Sequence, residues 1–217
     1  MHLIRVGFTK EQEACYISHL DLQRVIQRAL KKAEIPTWYT QGFNPHVYLT
    51  FALPLSLGQS STCETFDYKT EAEFDSETVY YKLNEALPRG IRVYDVHPAV
   101  MDPNVITYAR YLVRFTGDSA EITQKLEAFR TLSEAIVYKK TKKGTQKPVD
   151  LMEHLVKWSA EPTEEGVLLD LTLPAGNQFS LNPDFIIAYL AENYGIDPFE
   201  VSICRTAVYN AEFENFV

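Results

Sequence analysis

Five polar side chains gathered in residues 18–58 carry most of the chemistry this chain offers: His19, Arg24, Gln41, Asn44 and His46. An imidazole titrates near neutrality, so His19 and His46 together have the makings of an acid and base pair. A guanidinium presents a fork of donors to a phosphate or carboxylate, and the amides of Gln41 and Asn44 add directional partners. One solvent-reachable cluster of these five would be a ligand site. A helix cap followed by a tight turn with an aromatic plug uses the same residues for structure alone.

Two elements must position them. Ser18 precedes an amphipathic run and Asp21 follows three residues later, so a hydroxyl and a carboxylate serve the orphan amides of a helix start. Those amides carry partial positive charge, which favours an anion near His19. Leu22, Val25, Ile26, Ala29, Leu30 and Ala33 recur at three- and four-residue steps and make the buried face, with Asp21, Arg24, Arg28 and Lys31 opposite. Pro36 stops the helix soon after Glu34, because proline disfavours helical geometry in the residue before it. Beyond it, Gly42 admits a positive backbone dihedral and Pro45 holds Asn44 extended or turned. Phe43, Asn44 and His46 are then presented at fixed angles.

A second concentration of charge is KKTKKGTQK at residues 139–147. On a hairpin tip, Lys139, Lys140, Lys142 and Lys143 form a basic finger for phosphates, which Arg28, Lys31 and Lys32 of the first helix would extend if both lie on one face. As an ordinary turn the run is simply solvated. Arg205, in ICRTAVY beside Thr206 and Tyr209, either anchors a carboxylate or phosphate or pairs with an acidic residue across a domain boundary.

Several chemistries are disfavoured. His2, His19, His46, His97 and His154 form no i, i+4 pair and no H-E-x-x-H arrangement, so no metal is expected. Cys15, Cys63 and Cys204 are scattered, without the C-x-x-C of a zinc site or the triad of an iron–sulfur cluster, and read as small buried or half-buried apolar groups. There is no G-x-S-x-G elbow, P-loop or G-x-G-x-x-G, and no cofactor is expected. At net charge -8, indiscriminate coating of nucleic acid is not expected, since that binding needs a basic surface. No apolar run approaches the roughly eighteen residues of a membrane span, and residues 1–10 lack a signal-peptide layout, so a soluble cytoplasmic protein is expected.

With 217 residues, 46% hydrophobic and 12% aromatic, the chain has ample material for a core. HLIRVGF alternates as a strand, residues 9–17 read as loop, and the helix and bend follow. Residues 47–53 and 62–69 read as strands, Asp75 or Ser76 caps a helix through Val79, Leu83, Ala86 and Leu87, and residues 92–96 return as a strand. That order is β-α-β-β-α-β, the ferredoxin-like plan. The second half repeats it: a strand at Tyr111, Val113 and Phe115, a helix at Ile122, Leu126 and Phe129, strands at 135–140 and 167–173, a helix from Asn182 and Pro183, and a last strand at Val201 and Ile203. VGFT against VRFT, and RGIRVYDV against YGIDPFEV, support a duplication. The expected fold is α+β, with tandem ferredoxin-like domains at residues 1–100 and 105–210. Residues 148–162, with a strand start at Val149 and a short helix through Met152, Leu155, Val156 and Trp158, fit no place in a strict repeat.

SHLDLQRVIQRALKKAEIPTWYTQGFNPH, with LPLSLG, LNEALPRGI and ICRTAVY, resembles the radical SAM-associated family long catalogued as a domain of unknown function (DUF2344-like), in its standalone form. The resemblance spans essentially the whole chain, and its members occur alone or fused behind a radical SAM enzyme. It implies a radical SAM enzyme as partner, while the cysteine spacing marks this chain as not itself such an enzyme.

Three functions remain in view. The first is a non-catalytic binding module that presents an RNA or ribonucleoprotein substrate, such as a ribosome-related particle, to the radical SAM partner. The second is a metal-independent RNA-processing enzyme using His19 or His46, by analogy of fold with CRISPR RNA-processing endonucleases. The glycine-rich loop those nucleases carry is absent from residues 196–217. The third is a purely protein-binding adaptor, which the acidic charge favours.

Overall fold

In the computed structural model, residues 1–140 and 144–217 are described. They divide into two compact units, Met1–Ile106 with Glu214–Val217, and Thr107–Phe213. Both units mix helices with antiparallel strands, so the class is α+β.

The first unit runs β1 (His2–Lys10), α1 (His19–Lys32), β2 (Leu49–Phe51), β3 (Ser60–Thr70), α2 (Ser76–Ala86) and β4 (Ile91–Pro98). Its strands lie in the order β4-β1-β3-β2, every pair antiparallel. Ile4, Val6, Phe8, Phe66, Tyr68, Ile91 and Val93 point to one face, where α1 and α2 cover them with Leu22, Ile26, Leu30, Val79 and Leu83. Both helix starts follow their sequence signals. The Asp21 amide donates to Ser18 Oγ at 3.2 Å, and the Thr78 amide donates to Asp75 Oδ2 at 2.9 Å. Where α1 ends, Glu34 takes a left-handed conformation (φ 53°) and the Ile35 amide returns to the Leu30 carbonyl, a turn that closes the helix before Pro36 acts. Residues 9–17 are more ordered than a loop: β1 continues to Lys10, and Gln12–Tyr16 forms a single 3-10 turn.

The second unit runs β5 (Tyr108–Thr116), α3 (Ser119–Arg130), β6 (Ile136–Lys140), β7 (Gln146–Asp150), β8 (Lys157–Thr163), β9 (Gly166–Pro174), α4 (Asp184–Tyr194) and β10 (Val201–Tyr209). Its main sheet has the order β10-β5-β9-β8, and among the described residues β6 pairs with β7 in a separate ribbon. Residues 135–140 therefore do not supply the second sheet strand expected of them. That place belongs to β8, and the β6–β7 ribbon is an insertion before it. The reason is local: β8 and β9 are joined by a tight turn at Glu164 and Glu165, so the neighbour of β9 in sequence is also its neighbour in the sheet. Trp158, expected in a short helix, lies in β8 with its ring 5.5 Å from that of Phe129 on α3, and the helical piece shrinks to Met152–His154. At Gly166 (φ 149°) a Cβ would stand 2.0 Å from the Phe115 carbonyl oxygen, so the β9 backbone approaches β5 as only glycine permits.

Candidate functional site

The bend between α1 and β2 is built from its own hydrogen bonds. A bridge joins Tyr39 to Val47, the Thr40 amide donates to the His46 carbonyl at 2.8 Å, and the His46 amide donates to Thr40 Oγ1 at 3.2 Å. His46 Nδ1 lies 3.0 Å from the Asn44 carbonyl oxygen and 3.1 Å from Thr40 Oγ1, which leaves the far side of the ring pointing away from the turn. Gly42 takes a φ of 135° with open space around it, as the turn requires. Gln41, Asn44 and His46 are exposed, and the Phe43 ring is fully exposed. At the base of the bend the Trp38 amide donates to the Lys69 carbonyl, and the Lys69 ammonium lies 4.1 Å from the Tyr48 ring centre. This aromatic and cationic clamp ties the bend to β3.

His19 belongs to a different neighbourhood. Its ring packs edge-on against Phe51, centroids 5.0 Å apart, and Phe51 in turn meets Phe8 and Phe66. Burial lowers its pKa below the ordinary value, Glu64 acts in the opposite sense, and Lys10 lowers it further. Lys10 and Glu64 are both buried, as are Gln59 and Ser61, and the Lys10 ammonium donates to the Cys15 carbonyl at 3.2 Å. A polar cluster thus underlies the start of α1. One signal for it was in the sequence: Lys10 continues the Ile4, Val6, Phe8 alternation, and Glu64 continues that of Phe66 and Tyr68, so both fall on the helix-covered face.

Arg24, exposed on α1, pairs with Asp21 at 2.9 Å, and the Ser18–Asp21 bond holds that carboxyl below its usual range. Arg28, Lys31 and Lys32 are also exposed. The structure thus joins Asn44 to His46 and leaves Gln41 on the same bend. Neither His19 nor Arg24 shares a hydrogen bond, ion pair or ring contact with them among the described residues.

In the second unit, Lys139 donates to the Ser180 carbonyl and lies 5.1 Å from the Phe179 ring centre, so its ammonium is engaged. Lys142 and Lys143 lie outside the described residues, as does the Lys140 side chain. Arg205 is buried, and Thr206 Oγ1 donates to the Arg110 carbonyl. Among the described residues no three His, Cys, Asp or Glu side chains gather to hold a metal ion, and no helix is long and apolar enough to cross a membrane. Cys15 is buried, and Cys63 and Cys204 are half-buried.

The profile of a family described as "Uncharacterized protein conserved in bacteria (DUF2344)" matches residues 3–183. The chain belongs to this family. The match takes in all of the first unit's elements, the bend included, and the second unit as far as the start of α4. No curated protein matches this DUF2344 chain. It is similar to a solved structure described as "Crystal Structure of an Unknown Protein from Galdieria sulphuraria", with 14% identity, 94% of this chain and 98% of that chain covered, and a TM-score of 0.27.

Proposed function

We propose that the chain is a cytoplasmic, non-catalytic binding module of two ferredoxin-like units that presents an RNA or ribonucleoprotein substrate to a radical SAM enzyme. The observation that carries this proposal is the Phe43 ring, fully exposed at the tip of a hydrogen-bonded bend and flanked by the amides of Gln41 and Asn44 and the imidazole of His46. A rigid bend does not need an aromatic ring in water, whereas an unstacked base covers such a ring whatever its identity. Amides and imidazole beside it suit base edges, and Arg24, Arg28 and Lys31 on the exposed face of α1 suit the phosphates. The order 4-1-3-2, met in both units, supports the ferredoxin-like plan, an architecture used for RNA. The radical SAM partner rests on the motifs of residues 18–46.

The test is fluorescence anisotropy with short single-stranded RNA at low salt, together with extraction of copurified nucleic acid. Saturable binding that Phe43→Ala weakens by about 1–3 kcal/mol supports the proposal. A chain that binds no RNA and copurifies with none is instead the protein-binding adaptor that its charge of -8 favours. Cleavage of the RNA in chelator, lost in His19→Ala or His46→Ala, makes it an enzyme.

A further inference from the structure

Between the segment that leaves α1, residues 36–41, and the end of β3, the first unit has an open groove of about 350 Å³. That volume lies within the roughly 300–1,000 Å³ of small-molecule sites. Trp38 and Tyr39 give the groove an aromatic lining, Pro36 and Ala72 add apolar surface, and Gln41 and Glu71 bring polar ends. Both sides are fixed to β3. The Trp38 amide donates to the Lys69 carbonyl at 2.7 Å, and the Ala72 amide donates to Thr70 Oγ1 at 3.2 Å, which holds the Glu71 backbone between them. The groups that would meet an occupant are open to solvent: Tyr39 is 48% exposed, and Gln41 and Glu71 are exposed.

Donors and acceptors select the occupant. Among the described residues Glu71 is the one charged side chain lining the groove, and its carboxylate makes no hydrogen bond or ion pair within the chain. A phosphate finds no lysine or arginine among these lining residues, whereas the aromatic rings offer a planar base a surface to stack on. A carboxylate only accepts, so two donors side by side satisfy it best. Of the four RNA bases, guanine alone presents such a pair on its Watson–Crick edge, at N1–H and N2–H, with the O6 acceptor next to them. Adenine and cytosine set one amine beside a ring acceptor, and uracil sets one N–H between two carbonyls. The Gln41 amide, which can donate, suits O6.

We propose that this groove is a guanine-selective base site: N1–H and N2–H of the base donate to Glu71, O6 accepts from Gln41, and the ring lies against the Trp38 and Tyr39 lining. The inference rests on the RNA reading of the bend and adds a base preference to it. Gln41 stands two residues before Phe43, so a base beside the one stacked on Phe43 is the one that enters the groove.

The probes are labelled single-stranded RNAs of about eight nucleotides, all uridine or with one central uridine replaced by guanosine, adenosine or cytidine, titrated into the full chain at low salt. The guanosine strand is expected to bind about tenfold more tightly than the other three, the usual discrimination of one bidentate pair. A strand with inosine at that place, which lacks the N2 donor, should lose most of the gain. Glu71→Gln keeps the size of the side chain but replaces one acceptor with a donor, and it should bring the guanosine strand to the level of the others. RNA binding without a guanine preference overturns this inference and leaves the RNA reading standing, as does a preference that inosine or Glu71→Gln leaves intact. Failure of all four strands to bind overturns both.

Discussion

Arg5 and Asp67 face each other across β1 and β3 and meet through two parallel hydrogen bonds of 2.8 and 2.7 Å, with almost none of either side chain exposed. The Arg5 guanidinium also donates to the Val217 carbonyl at 2.8 Å and lies 4.2 Å from the Phe216 ring centre. Its donors are thus well used on the sheet face that α1 and α2 leave uncovered. Removing one partner strands a buried charge, so Asp67→Ala is expected to cost about 3–5 kcal/mol in urea unfolding. Replacing both, with Arg5→Met and Asp67→Leu together, should recover most of that loss, because the desolvation cost of the ions disappears with them.

A pH dependence follows from His19. Burial lowers its folded pKa below the unfolded value of 6.5, so the unfolded chain binds the proton more readily. The share of stability that His19 contributes is fully present above pH 6.5 and is lost as pH falls through the lower, folded value. The His19 ring signals should titrate with a midpoint below 6.5, and His19→Gln should flatten the acid side of the stability profile. A midpoint at or above 6.5 would mean that Glu64 outweighs burial.

Caps and apolar periodicity were legible because they are local. Ser18 with Asp21, Asp75 with Thr78, and the Leu22, Ile26, Leu30 stripe each lie within a few turns of chain, and each element begins or faces as those residues dictate. The Arg5–Asp67 pair joins residues sixty-two apart, and only the register of β1 against β3 brings them together. Alternation along β1 and β3 places Lys10 and Glu64 on the helix-covered face, but their approach to His19 depends on the fold of β1, β3 and α1 together. Trp158 misled for another reason: Leu155, Val156 and Trp158 suit a helix by spacing, but the hairpin with β9 takes Trp158 into β8 and leaves Leu155 and Val156 ahead of that strand. At the bend, Gly42 and Pro45 announced the turn, and the Asn44–His46 contact lies within it.

Phe43 separates binding from folding. Its ring touches nothing that holds the unit together, so Phe43→Ala should leave the unfolding midpoint unchanged, within about 0.5 kcal/mol, as surface substitutions do. Affinity for single-stranded RNA should fall by about 1–3 kcal/mol, the usual cost of one lost stacked base. Phe43→Trp should retain binding. Destabilisation by Phe43→Ala would show that the ring has a packing role.

The cations of α1 should register in the salt dependence. Arg24→Ala removes only an exposed pair with Asp21, so its stability change is expected to stay within about 1 kcal/mol. RNA affinity should drop by about 1–3 kcal/mol for loss of a charge-assisted hydrogen bond. Arg28→Ala and Lys31→Ala should each reduce the slope of log affinity against log salt by about 0.7 where a phosphate contact is lost. An unchanged slope in all three variants would move the phosphate path off this helix.

Tyr68→Phe makes the sharpest stability prediction, because it deletes a buried hydroxyl that finds no hydrogen-bond partner among the described residues. The unfolded state loses a hydrated group while the folded state loses none of its hydrogen bonds, so the variant should be more stable by about 1 kcal/mol. For a chain of this length that raises Tm by about 2–4 °C. An alkaline effect accompanies it. The Tyr68 pKa is raised from 10.0 to about 12 by burial, so the unfolded chain gives up the phenol proton first. Tyr68 therefore contributes stability that is whole below pH 10 and is lost as pH climbs toward 12. Tyr94, pushed up to about 12 mainly by burial, falls in the same window, so Tyr68→Phe should remove part of the alkaline loss and leave the rest. A lower Tm for Tyr68→Phe, with the alkaline limb unaltered, would mean that the hydroxyl has a partner in the folded protein, a buried water included.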